Sequence, residues 1–111
     1  MVAKRTGRGS ASSATGPPTG LAFLHLTIQV CEGVSDSDSL GEWDARNATI
    51  HYDPAQSVPV LRETVLHEML HCIFEHTGVD PEEHETLIRS ISPLLLETLR
   101  RNPELVEWLV G

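Results

Sequence analysis

Apolar and less apolar positions alternate along residues 21–30 (LAFLHLTIQV). Ala22, Leu24, Leu26, Ile28 and Val30 fall on one side, and Phe23, His25, Thr27 and Gln29 on the other. A period of two in a stretch carrying β-branched and aromatic residues predicts one strand over Leu21–Val30. Residues 42–53 (EWDARNATIHYD) read as a hairpin, with Asp44–Asn47 as the turn and Ala48–Tyr52 as its second strand. Beyond Asp53-Pro54 the signals become helical. Ser57 can cap a helix whose first turn holds Pro59, and Val58–Thr77 reads as one long helix stopped by Gly78. Asp80 caps a second helix, with Pro81 at its first position and Glu83 completing a capping-box pattern. This helix extends to about Arg101, and Pro93 inside it predicts a kink or a break. Asn102-Pro103 repeats the cap-and-proline signal ahead of a short helix, Glu104–Val110.

The fold class that follows is α+β, a small sheet built from a strand plus a hairpin and followed by two main helices. Residues 1–20 (MVAKRTGRGSASSATGPPTG) are Gly, Ser, Thr, Ala and Pro with a few basic residues, a composition that reads as a disordered tail. Residues 21–111 then form a single domain. The acidic, serine-rich stretch from Glu32 to Asp44 connects strand and hairpin. Its DSDSLG at 36–41 opens like a calcium-binding EF-hand loop, but Leu40 stands at the fifth position and Asn47 at the twelfth. The stretch is therefore expected to be a solvated loop with Gly41 at a turn.

Composition narrows the function classes. The 111 residues carry a net charge of −8, and residues 9–111 hold five basic against sixteen acidic groups. So acidic a domain is a poor partner for nucleic acid and is repelled by anionic membranes. No apolar run approaches the ~18 residues a membrane span needs, and no apolar segment follows the basic N-terminus as in a signal peptide. Two cysteines, Cys31 and Cys72, form no disulfide framework and read as reduced core thiols of a cytoplasmic protein.

The chemistry concentrates in His67-Glu68-Met69-Leu70-His71, an HExxH motif within the long helix. Histidines at i and i+4 lie about 40° apart on one helix face, so both rings can reach one Zn²⁺. The Glu after the first His projects beside the ion, where it can take a proton from a zinc-bound water and pass it to a leaving amine. Leu66, Met69, Leu70 and Ile73 occupy an adjoining arc, which sets the pair at the border of an apolar face. Two donors hold zinc weakly, and catalytic sites usually present three. His76 falls about 180° round the helix from His67, so it is set aside as a surface or core histidine. On the second helix, His84 sits amid the stripe Leu87, Ile88, Ile91 and Leu95. Glu85 borders a second stripe, and Glu82 and Glu83 are capping residues of the first turn. Periodicity leaves His84 and Glu85 level. His51 or Tyr52, on a strand edge able to pair with an extended peptide, can supply an oxyanion contact, or both can be ordinary strand residues. Trp43, Phe74 and Trp108 read as packing residues, Glu75 as a solvated carboxylate and His25 as a surface histidine.

From Leu40 to Leu109 the chain resembles small HExxH proteins of bacteriophages and prophages, themselves similar to the ImmA/IrrE-type zinc metallopeptidases. The matching residues are Leu40-Gly41, Asp44 and Asn47 before ATIHYD, then ETVLHEMLHCIFEHTG, EEHETLIRSISPLLLETLR and RNPELVEWL. The resemblance implies a compact zincin-like domain with zinc on the motif helix. It also implies a third ligand that is a Glu on the following helix, three residues before a small or aliphatic position. Here that pair is Glu85 and Ile88. Pro93 departs from the pattern.

The reading that results is a zinc-dependent metallopeptidase. His67, His71 and Glu85 are its metal ligands, with His84 the alternative to Glu85, and Glu68 is its catalytic base. Its partner is a protein or peptide substrate. A non-catalytic zinc-binding interaction module of a phage or prophage is the second reading, and a small helical adaptor with incidental histidines the third.

Overall fold

A computed structural model of the chain describes residues 16–111. Among these residues the fold is α+β, a mixed four-stranded sheet with three helices. The strands are β1 (Gly20–Phe23), β2 (Leu26–Glu32), β3 (Gly41–Asp44) and β4 (Thr49–Tyr52). The helices are α1 (Val58–Phe74), α2 (Pro81–Arg101) and α3 (Pro103–Val110). Strand order is β1-β2-β4-β3, so two antiparallel hairpins join along the parallel pair β2–β4.

The single strand expected over Leu21–Val30 is a hairpin. Leu21 pairs with Ile28 and Phe23 with Leu26, which leaves Leu24-His25 as a two-residue connection. Leu24 takes the left-handed conformation (φ 54°) and is 71% exposed. The reversal shifts the apolar phase by one residue. Leu21 and Phe23 join Leu26, Ile28 and Val30 at the core, whereas an unbroken strand would have buried Leu24 and turned Phe23 outward. The tail expected over 1–20 also ends early. Gly20 opens β1 and the Thr19 carbonyl accepts the Val30 N–H at 3.0 Å. Residues 1–15 of that tail lie outside the described residues.

The expected second hairpin is β3–β4, with Trp43 opposite Ile50. The Asp44 carboxylate accepts the Asn47 backbone N–H at 3.2 Å and its side-chain amide at 2.8 Å. These two bonds hold the Asp44 carboxyl below its ordinary value. Ala48 (φ 48°) closes the turn. The strand expected to offer a free edge, Ala48–Tyr52, does not. β4 is flanked by β2 and β3, and the edge strand beside α1 is β3.

α1 stops at Phe74, short of the predicted Thr77. The backbone N–H groups of His76 and Thr77 bond three residues back, to Ile73 and Phe74, which tightens and ends the last turn. Ser57 precedes α1 without a side-chain capping bond. Asp80 does cap α2, accepting the Glu82 N–H at 3.1 Å. α2 runs unbroken through Pro93, so of the expected kink or break the break does not occur. Pro93 and Arg89, whose carbonyl loses its helical partner, are both exposed, so water can satisfy that carbonyl.

The core joins Ile28, Val30 and Ile50 of the sheet to Cys72 of α1, with Met69, Trp43 and Tyr52 packed around them. Cys72 is fully buried, which pushes its thiol pKa up, and the Glu75 carboxylate adds to the rise. α1 is covered on one side by β3 and β4 and on another by α2. Trp108, expected in packing, is 77% exposed on α3, which buries no residue. No helix among the described residues is long and apolar enough to cross a membrane.

Candidate functional site

His67 and His71 stand one turn apart on α1, their rings 5.0 Å apart between centroids. Opposite them, one turn beyond the Asp80 cap, α2 presents Glu85. Its Oε1 lies 3.3 Å from His67 Nε2 and 2.9 Å from His71 Nε2. One donor atom from each of the three residues lies within 4.8 Å of the other two. Four ligands held tetrahedrally at ~2.0–2.1 Å from an ion stand about 3.3 Å from one another. The His67 contact matches that spacing, and the His71 contact, at 2.9 Å, is a hydrogen-bond distance that would have to open slightly. Two imidazole nitrogens and one carboxylate oxygen suit zinc and its divalent neighbours, so the set can hold such an ion.

The alternative third ligand is elsewhere. His84 is buried, and its Nε2 lies 3.0 Å from the Val79 carbonyl oxygen. Its ring meets Phe74 edge-on at 5.5 Å. Neighbours on a helix point ~100° apart, and the α1–α2 packing turns His84 into the protein and Glu85 toward the HExxH face. His76 bonds the Cys72 carbonyl at 3.0 Å and packs on Phe23, away from the trio.

The trio opens onto a cleft of about 490 Å³. Asp38, Ser39, Leu40 and Gly41 form one wall, Thr64 and Glu68 of α1 line it, and Glu85 and Arg89 of α2 close the far side. His51 and Tyr52 do not line it, so the oxyanion role considered for them has no support in this geometry. The stretch expected to be a solvated loop is one over residues 33–40, mostly exposed, and its end (Asp38–Leu40) also forms the cleft wall; Gly41 is the first residue of β3 rather than a turn. Glu42 ties that wall down. Its carboxylate accepts the backbone N–H and hydroxyl of Ser35 and the N–H of Asp36. These bonds, chiefly those from Ser35, hold its pKa low.

Glu68 is buried, at 8% exposure, and faces the same cleft. Burial pushes its carboxyl from 4.5 to about 7, with further upward pushes from the Glu85 and Glu42 carboxylates. For Glu85, burial acts upward, but the Arg89 hydrogen bond and the two histidines outweigh it, and its pKa lies below the ordinary value. Two carboxyls on one cleft are thus driven apart, Glu68 toward holding its proton and Glu85 toward staying ionised.

Three contributors to the site are not evident from the sequence: Arg89, Thr64 and Gly41. Arg89 was detectable as the i+4 partner of Glu85 on α2. Thr64 and Gly41 meet only through the packing of β3 on α1. The Trp43 indole N–H donates to the Glu75 carboxylate at 3.0 Å, so Glu75 is a brace between β3 and the end of α1. No protein-family model, curated protein or solved structure matches the chain.

Proposed function

We propose that the protein is a zinc-dependent metallopeptidase built on a zincin-like domain, acting in the cytoplasm on a protein or peptide. The observation that carries this reading is the convergence of His67, His71 and Glu85 beside a buried Glu68 on one cleft. The resemblance of the HExxH region to phage and ImmA/IrrE-type proteins supports it from the sequence. A bound Zn²⁺ would polarise the scissile carbonyl and acidify water. In this reading Glu68 takes the proton from the attacking water and delivers it to the leaving amine, a task suited to a carboxyl buried on the cleft beside the two histidines. The substrate lies extended along the free edge of β3, whose first residue and the preceding Leu40 form the cleft wall.

The test loads wild type and Glu68→Gln with zinc and incubates each with an unfolded protein, reading cleavage by mass spectrometry. Wild type should cut and the variant should lose at least about 100-fold in rate while keeping its zinc. Zinc bound by both proteins with no cleavage by either favours the non-catalytic zinc module of a phage or prophage, and equal cleavage by both removes Glu68 as the base. A wild type that takes up no zinc excludes both readings.

A further inference from the structure

Glu85 uses its two oxygens differently. Oε1 faces both histidines, and Oε2 accepts the Nε–H of Arg89 at 2.7 Å. Arg89 lies one turn further along α2, so the helix itself places the guanidinium beside the carboxylate. The Arg89 side chain is 75% exposed and that of Glu85 47% exposed. A pair this open contributes little to folding stability, so its main consequence is where it holds the carboxylate.

We propose that Arg89 is a positioning residue for the metal-binding carboxylate, holding Oε2 aside so that Oε1 alone meets the His67 and His71 nitrogens. The inference rests on the metal reading above. A glutamate has three free side-chain torsions, and without a partner on Oε2 its carboxylate can turn either oxygen, or both, toward the imidazoles. Both oxygens together would fill the position that a three-donor site leaves open. A hydrogen bond from an outer group onto a ligating side chain typically changes metal affinity 10–100-fold when removed. Plain repulsion between the guanidinium and a divalent cation acts in the opposite sense, so the sign of the effect separates the two accounts.

The experiment measures zinc affinity by competition with a chromophoric chelator for wild type, Arg89→Gln and Arg89→Lys, and records visible spectra of the cobalt-loaded proteins. Thermal unfolding of the metal-free proteins checks that all three fold alike. Arg89→Gln should bind zinc at least tenfold more weakly and show altered cobalt bands, reporting a changed coordination number. Arg89→Lys, which keeps a charged donor, should recover part of the loss. Unchanged or tighter zinc binding with an unchanged cobalt spectrum in Arg89→Gln overturns the proposal. If wild type binds neither metal, the metal reading falls first and this one with it.

Discussion

Gly41 lies against Glu68 so closely that a Cβ at residue 41 would stand 3.2 Å from the Glu68 Cγ and 3.3 Å from its Oε2. The same Cβ would sit 2.5 Å from Thr64 Cγ2, a distance real atoms do not tolerate. Thr64 cannot easily turn away, since β-branching restricts it in a helix and its hydroxyl donates to Gln56 Oε1 at 2.7 Å. Gly41→Ala should therefore cost about 1–3 kcal/mol of stability, read as a lower urea midpoint. Adding Thr64→Ser, which keeps the hydroxyl and removes Cγ2, should restore much of the loss. Simple additivity of the two changes would refute the contact as its cause.

The raised pKa of Glu68 makes the metal-free protein sensitive to pH. The folded value is about 7 against 4.5 in the unfolded chain, so the folded state holds the proton more tightly. The stability it contributes is fully present below pH 4.5 and is lost as pH rises through about 7. On the order of 2 kcal/mol should disappear from wild type by about pH 8 and be retained in Glu68→Gln, after a discount for water entering the cleft. Glu42, Asp44 and Glu85 have lowered values and act the other way, losing stability as pH falls. The quantity to follow is thus the wild-type-minus-variant difference in urea stability against pH, and a flat difference refutes the prediction.

His84 and Glu85 are neighbours with opposite predicted phenotypes. His84→Ala breaks the contact with the Val79 carbonyl and removes the buried ring that packs on Phe74, and should cost about 1–3 kcal/mol with zinc stoichiometry unchanged. Glu85→Ala should leave the metal-free protein nearly as stable as wild type and abolish stoichiometric zinc. Elemental analysis alongside thermal unfolding checks both, and zinc lost from His84→Ala but kept by Glu85→Ala would reverse the assignment.

Sequence signals placed the helices well because their punctuation is chemical: Asp80 and Pro81 open α2, and Gly78 lies between the two. They failed at Leu24-His25, which carries no turn residue, although the phase change from Phe23 to Leu26 was the available clue. The inner position of β4 was illegible because it depends on the parallel pairing with β2, a contact no local pattern encodes. At the site, HExxH marked itself. Periodicity leaves His84 and Glu85 level, and only the resemblance favours Glu85. That Glu85 and not His84 stands beside the two histidines depends on the packing of α2 on α1, and the closeness of Gly41 to Glu68 on that of β3.

The three metal-reaching side chains lie within residues 67–85, on two successive helices joined by a short turn. The burial of Glu68 depends instead on a strand far earlier in the chain. In the proposed reading, ion capture would thus belong to a short-range helical hairpin that closes cheaply, and proton handling to a long-range sheet contact. If the proposed metallopeptidase reading holds, fraying of the β3 edge would uncover Glu68 and leave the His67, His71 and Glu85 trio assembled, so local opening alone would give an inactive, metal-retaining form.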